Sequence, residues 1–591
     1  MILTLFSIAV TTIPFLLFFC FKNKTLGFLY VFTSLILFHF ILSITTQLLH
    51  IFNYQTIAYA NAILAIISLV IFIKRKKYFE KIKINYLIIF TFLIIIFQLW
   101  SVHYLYTGKI NTVNGSIEVT NNSYTYPYFS DEWIGASLAK YSIENQSLPI
   151  VNPINNNVRV PSPLLAFFSF TSEIFLFFNL NPILNFPILS IIAGLLICLM
   201  SYIFLRINNI DKYVSVIVAS SILYITNSAN LPGIWYFLPY TMGLLMMIIC
   251  LGGLYLKDSK LAGISSVLSI IFYPPIIIFI APIWIVYLIK NHNSSEINKY
   301  VIITTISLSF ILFFILGISI NNFQIIPILK TFSNYIIRPV LDNGIPDFSI
   351  WNIIPIIFLP IIFFGLVKII KDKLYYILAP ILTGVFFWII YTFILKTIII
   401  EYPRVVVITS VLLIISSGFG FDYLYKILKE KYPEILQKNI VNTIKIAVFL
   451  LVAIFSLTYT NNDRWSKLVL KLNPQANHKT VSPAPPANEY LTESDINLFS
   501  NIHQKRFISI PWKGLTIGVV TNNFPLESKP AVITNQFLSY GFFMSSDCVE
   551  KNYLAEKYSI DYVYSSEFAC NNFDLVGNSP EKLFLYKYKK D

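Results

Sequence analysis

Two adjacent acids, Asp131 and Glu132, stand in the stretch Tyr126-Pro-Tyr-Phe-Ser-Asp-Glu-Trp-Ile-Gly-Ala-Ser-Leu-Ala-Lys-Tyr141. Trp133, Ile134, Leu138 and Tyr141 recur at helical spacing, and Ser130 suits the cap position, so the segment reads as an amphipathic helix at a membrane surface with both acids in its first turn. A carboxylate held there, just after a span, can deprotonate an acceptor while a lipid-borne donor approaches sideways. The plainer reading is that both acids complement the helix dipole. A second group of residues is cationic: Arg404, Arg338 and Lys396. A guanidinium offers phosphate oxygens a planar fork, and Arg404 stands at the end of a span where a lipid phosphate would lie; the alternative is snorkelling to head groups. Glu401 can pair with Arg404 as a surface salt bridge. Asp342 and Asp347, in Leu341-Asp-Asn-Gly-Ile-Pro-Asp347, are candidates for a second carboxylate, although Asn-Gly and Pro-Asp are first of all turn formers. Glu173 lies in an apolar stretch and is expected to be solvated at the interface. His39, His50 and His103 lack metal-ligand spacing.

The elements that must position these groups are membrane helices. Of 591 residues, 56% are hydrophobic and 12% charged, about half the usual charged share, and a soluble protein is excluded. Mean hydropathy is +0.69. Lys plus Arg 43 against Asp plus Glu 29 gives +14, which basic cytoplasmic loops and lipid head groups account for without nucleic acid. Fourteen apolar runs of spanning length are expected near 2-21, 26-49, 54-73, 85-105, 183-205, 213-228, 237-256, 261-274, 275-289, 300-319, 351-370, 374-396, 404-424 and 442-459. The first reads as a retained helix, not a cleaved signal. Alternate connections carry 22 and 7 Lys and Arg residues, which makes the first set cytoplasmic and turns loops 106-182, 320-350 and 397-403 outward, with everything after 460. This alternation requires that Pro163 to Asn181 form a juxtamembrane or re-entrant helix. The expected location is a cytoplasmic (inner) membrane.

The organisation expected is therefore N-terminal helices over 1-84, a membrane core over 85-459 and, over 460-591, a linker with a small outward α/β domain. In that last part β-rich runs cover Arg506 to Trp512, Thr516 to Thr521 and Ala531 to Thr534; a helix covers Val549 to Tyr558, followed by Ile560 to Ser565 and Leu583 to Tyr588. Cys548 and Cys570 are either a disulfide or two free thiols. Cys20, Cys198 and Cys250 lie in spans as small apolar residues.

An aspartate in the first large outward loop, an amphipathic helix behind it and Pro161-Ser-Pro-Leu-Leu165 before the next apolar stretch resemble the polytopic GT-C glycosyltransferases. The branch is that of protein O-mannosyltransferases and lipid A aminoarabinose transferases. The likeness covers residues 85 to about 425 in layout, with the specific match in 126-165. A basic turn from Arg206 to Lys212 and Glu401-Tyr-Pro-Arg404 follow the same pattern. The resemblance implies an all-α polytopic fold and a polyprenyl-phosphate sugar donor. It also implies Asp131 as catalytic base with Glu132 beside it, inversion at the sugar, and a glycan, lipid or protein acceptor. Stretch 227-235, Asn-Ser-Ala-Asn-Leu-Pro-Gly-Ile-Trp, lacks the acid many members carry there, which speaks against a two-carboxylate metal site. Two other functions fit the composition. A transporter or flippase would show paired charges or broken helices near the midplane; a non-catalytic assembly protein would use the outward tail to bind a partner.

Overall fold

The computed structural model describes residues 2–75, 85–104, 108–112, 115–119, 125–127, 130–152, 154, 158–159, 164–224, 236–290, 337–339, 358–394, 396–431, 490–527 and 539–590. Helix α1 (Ile2–Thr12) runs into a tighter 3₁₀ stretch, Ile13–Cys20, at the proline in its first turn. It is followed by α2 (Lys24–Leu48), α3 (Tyr54–Arg75), α4 (Tyr86–Tyr104), α5 (Ser130–Asn145), α6 (Leu165–Phe177), α7 (Pro182–Ile207) and α8 (Lys212–Ser221). Then come α9 (Pro239–Tyr255), α10 (Ser259–Phe272), α11 (Ile277–Lys290), α12 (Leu359–Lys371), α13 (Tyr375–Ile394) and α14 (Tyr402–Lys431). Side chains start several of them: Asn23, Asn181, Asp211 and Asp258 accept from first-turn amides of α2, α7, α8 and α10.

Among the described residues five helices are long and apolar enough to cross a membrane: Ile2–Cys20, Lys24–Leu48, Tyr54–Arg75, Pro182–Ile207 and Arg404–Lys431. Shorter apolar helices pack between them. Of the fourteen expected spans, those near 300-319 and 442-459 lie outside the described residues, and that near 351-370 is described from 358 on. The run at 213-228 forms α8 and a short 3₁₀ turn, Ile222–Tyr224. The chain is a multi-pass, mostly helical membrane protein.

Lipid tails are as apolar as leucine, so helices in a bilayer associate through close contact and hydrogen bonds rather than water exclusion. Glycines supply the contact. A Cβ on Gly420 of α14 would stand 1.9 Å from the Ile361 carbonyl oxygen, and one on Gly365 of α12 would stand 2.0 Å from that of Ser416. One core holds Phe32 and Phe40 of α2 together with Phe168 of α6, Leu245 of α9 and Val406 of α14. At the end of the bundle carrying the basic connections, Lys290 Nζ donates to the Lys373 carbonyl (2.9 Å), and Tyr30 donates to Asp258 (2.6 Å). Asp422 there pairs with Lys368 and, at 3.0 Å, with Lys426.

Helix α6 has 13 residues, a rise of about 20 Å against the ~30 Å of hydrocarbon. It is short for a full crossing, as a juxtamembrane or re-entrant helix would be. Glu173, expected to be solvated, is fully buried and meets His39 Nδ1 at 2.9 Å, because α6 is tucked between α2 and α5. Ser169 donates to Ser43 (3.2 Å) and Gln47 to the Ser169 carbonyl (3.2 Å), so one face of α2, stepping by four, makes a polar seam with one face of α6.

Short antiparallel ribbons occupy the loops: β1 (Gly108–Thr112) with β2 (Gly115–Val119), β3 (Val151–Asn152) with β4 (Val158–Arg159), and β5 (Ile337–Pro339) with β6 (Lys396–Ile398). The C-terminal domain carries β7 (Arg506–Ser509), β8 (Phe524–Pro525), β9 (Tyr562–Ser565), β10 (Phe573–Asn578) and β11 (Phe584–Tyr588) in the order β10-β11-β9-β7-β8. Strand β7 runs parallel to β8 and β9, and β11 antiparallel to β9 and β10. Its helices are α15 (Glu493–Phe499), α16 (Pro511–Thr521), α17 (Tyr540–Met544) and α18 (Cys548–Lys557). Thr516 to Thr521, expected as a strand, is the second half of α16: Pro511 sits in the first turn, and Ile517 and Val519 gain full burial as helix residues. Strand β10 escapes sequence reading because it is a largely exposed edge strand without apolar–polar alternation, with a register shift between Leu575 and Gly577. The run Ala531 to Thr534 lies outside the described residues. Cys548 and Cys570 are bonded, their Cα atoms 5.6 Å apart.

Substituting Gly420 by alanine forces α12 and α14 apart. We expect a loss of roughly 1–3 kcal/mol, typical of overpacking, seen as an apparent melting temperature several degrees lower in detergent.

Candidate active site

Three consecutive side chains at the start of α5 serve three different neighbours, since successive helix residues point about 100° apart. Asp131, a fifth exposed, faces Arg404: Oδ2 lies 3.8 Å from Nη2. Glu132 is fully buried and takes hydrogen bonds from the Ser190 hydroxyl of α7 and, at 3.4 Å, from the Phe237 amide just before α9. The same amide lies 3.0 Å from Ser190 Oγ. Trp133 is also fully buried, in a cluster with Leu491, Phe499, Leu515 and Leu585 of the C-terminal domain, and stacks on Tyr126 at 5.9 Å.

The expected face of α5, with Trp133, Ile134, Leu138 and Tyr141 toward lipid, is therefore corrected. Leu138, Ala136 and Ala139 pack into the main core, and Trp133 into the domain above. Gly135 allows the close approach to α7, since a Cβ there would meet the Phe186 ring at 2.9 Å. On the other flank Lys140 donates to Asn522, the left-handed residue ending α16, at 2.6 Å. The C-terminal domain thus sits directly on the helix that carries Asp131.

Arg404, in the first turn of α14, is the cationic centre. Nε lies 3.2 Å from Glu401 Oε2, Nη1 donates to the Tyr273 hydroxyl at 3.4 Å, and the guanidinium carbon stands 5.6 Å and 6.0 Å from the ring centres of Tyr273 and Tyr240. The two rings meet each other edge-on at 6.3 Å, so the guanidinium packs against one side of an aromatic pair, which restricts it and leaves it weakly hydrated, suited to a phosphate. Glu401 is not the simple surface partner expected: it, Arg404 and Asp131 are each at most about a third exposed.

Sequence reading missed Tyr240 and Tyr273. The Tyr273-Pro-Pro275 break marks the end of α10, a signal that could have placed Tyr273. Tyr240 carries none beyond Pro239 at the helix start. Glycine helps again: a Cβ on Gly243 would lie 2.8 Å from that of Tyr273.

Of the other residues singled out, Arg338 and Lys396 stand on neighbouring strands, Arg338 opposite Thr397 and Lys396 opposite Pro339, in the ribbon that leads into α14. Asp342 and Asp347 lie outside the described residues. Among the described residues no three His, Cys, Asp or Glu side chains converge as a metal-binding group.

The chain is similar in structure to the oligosaccharyltransferase of Archaeoglobus fulgidus. Against its form tethered to an acceptor peptide with an NVT sequon, identity is 12% and the TM-score 0.46, over 86% of this chain and 74% of that one. Against the apo form, identity is 14% and the TM-score 0.46, over 82% and 70%. It is also similar to ArnT from Cupriavidus metallidurans bound to undecaprenyl phosphate, with 10% identity and a TM-score of 0.44 over 85% and 97%. No family model and no curated protein matches the sequence.

The division of labour in α5 is testable by stability. Glu132→Ala leaves the Ser190 hydroxyl and Phe237 amide without that acceptor and should cost about 1–3 kcal/mol, while Asp131→Asn, at a partly exposed position with a near-isosteric side chain, should leave thermal unfolding in detergent nearly unchanged. Equal melting shifts would contradict the assignment.

Proposed function

We propose that the chain is an inverting membrane glycosyltransferase that moves a sugar from a polyprenyl-phosphate donor to an acceptor hydroxyl at the outer face of the membrane. One observation supports this most directly: a carboxylate from α5 and a guanidinium from α14, 273 positions apart in sequence, lie 3.8 Å from each other, where an apolar bundle meets a folded domain. A base and an anion-binding cation side by side are what displacement at an anomeric carbon bearing a phosphate requires.

In this reading Asp131 takes the proton of the acceptor hydroxyl as its oxygen attacks the anomeric carbon. The bond to the phosphate oxygen breaks, the polyprenyl phosphate leaves as an anion, and Arg404 carries its charge, steadied by Tyr240 and Tyr273. A phosphate needs no general acid to depart, unlike the leaving group in paired-carboxylate glycoside hydrolysis. Arg338 and Lys396, in the ribbon beside α14, are proposed to line the approach of the phosphate. Glu132 is assigned to holding α5. In the proposed arrangement the lipid enters sideways from the bilayer and the acceptor from the side of the C-terminal domain, with that domain and the loop at 106-182 assigned to the outer side of a cytoplasmic membrane by the positive-inside rule. The chain is read as N-terminal helices 1-84, catalytic membrane core 85-459 and outer domain 460-591.

The test is release of polyprenyl phosphate from a panel of polyprenyl-phosphate sugars by purified protein in liposomes, with water standing in for the acceptor. Asp131→Asn should lower turnover by about 10²–10⁴-fold, and Arg404→Ala should weaken donor use with the fold intact. Release unaffected by either change would remove both assignments. Absence of release with every donor would favour an assembly role, and movement of intact donor across the bilayer a flippase.

A further inference from the structure

The turn that delivers Arg404 is held in an uncommon shape. The Ile400 amide donates to the Ile398 carbonyl at 2.6 Å, closing a turn of only three residues, and the residue between them, Ile399, has φ of 63°. A β-branched side chain in the left-handed region is strained, and such tight turns with positive φ are rare. Strain of this kind persists only where surrounding structure over-determines it, and it clusters where function needs a fixed geometry.

The over-determining group is Tyr391, fully buried near the end of α13. Its hydroxyl lies 2.6 Å from the Ile398 carbonyl oxygen and 2.7 Å from that of Ile400, and accepts from the Ile398 amide at 3.3 Å. One side chain thus grips both ends of the strained turn. Its ring meets Tyr402, the first residue of α14, edge-on at 6.4 Å. Directly after the turn comes Glu401, whose carbonyl receives the Arg404 and Val405 amides at 3.0 and 3.1 Å and whose side chain pairs with Arg404. The direction in which the chain leaves Ile400 therefore fixes where α14 starts, and with it the distance from Arg404 to Asp131.

We propose that Tyr391 is a positioning residue for Arg404: its hydroxyl holds the Ile398–Ile400 turn in the strained form that sets Arg404 beside Asp131. With the hydroxyl gone, Ile399 relaxes to ordinary extended backbone and Glu401 and Arg404 leave register. The link to phosphate recognition rests on the function proposed above; the clamp itself does not.

The experiment compares wild type, Tyr391→Phe, Ile399→Gly and the double variant of the full chain in nanodiscs, measuring undecaprenyl phosphate binding and thermal unfolding. Tyr391→Phe should bind roughly fivefold more weakly, the scale of one lost hydrogen bond, with unfolding shifted by no more than a few degrees. Glycine adopts positive φ without strain, so Ile399→Gly should bind like wild type and restore most of the binding lost in Tyr391→Phe. Binding by Tyr391→Phe within twofold of wild type, or no recovery in the double variant, overturns the proposal. If wild type binds no undecaprenyl phosphate, the proposed function falls and unfolding alone judges the clamp. Shifts of the two single variants that fail to add in the double support it; additive shifts overturn it.

Discussion

The whole arrangement depends on how the first turn of α5 is seated. Asp131, Glu132 and Trp133 are neighbours in sequence, yet one reaches the cation of α14, one the bundle wall at Ser190 and Phe237, and one the interior of the C-terminal domain. Two of the three are completely buried, and the remaining one owes its direction to them. A buried carboxylate left without donors would be expensive; here a hydroxyl and a backbone amide satisfy it, and that requirement ties α5 to α7 and α9 at a fixed rotation. Both ends of the Asp131–Arg404 contact are partly exposed, so the cost of desolvating two charges offsets most of their attraction. The pair therefore adds little to a seating that packing has already set.

The C-terminal domain that packs on that helix is tied together by a buried polar network. Lys513 of α16 is enclosed by Asp495 (2.5 Å), Glu581 (3.1 Å) and the Tyr490 carbonyl (2.7 Å), and Tyr564 donates to Asp495 at 2.6 Å. Burial raises the Glu581 carboxyl above its usual range, while Lys513 pulls the other way. This network joins the chain leading in at Tyr490, α15, α16 and the β10–β11 connection. Tyr490 itself packs against the membrane core, so the domain contacts the bundle both at α5 and at Tyr490.

Much of this was legible in the sequence, for identifiable reasons. Hydropathy and charge alternation exposed the membrane class, and an acid pair at a capped apolar helix pointed to α5. Arg404 was singled out because a cation at a span end is conspicuous. What could not be read is direction. Periodicity showed that α5 has an apolar face but not that protein covers it, so Trp133 and its neighbours were expected against lipid. Glu173 looked solvated because nothing local announces His39, 134 positions away. Thr516 to Thr521 has the composition of a strand, and tertiary burial made it helix. Tyr240 and Tyr273 belong to the site only through packing between distant helices.

The seating of the C-terminal domain on α5 also sets an order of biosynthesis. Helix α5 leaves the ribosome more than 300 residues before the segments that bury Trp133, and domains form as they emerge, N-terminal parts first. During that interval the flank of α5 that carries Trp133 lacks its cover, while Glu132, Ala136, Leu138 and Ala139 face the bundle. Burial of Trp133 therefore coincides with folding of the tail, and a chain interrupted anywhere before it would keep its membrane helices while leaving that indole without the Leu491, Phe499, Leu515 and Leu585 side chains that cover it.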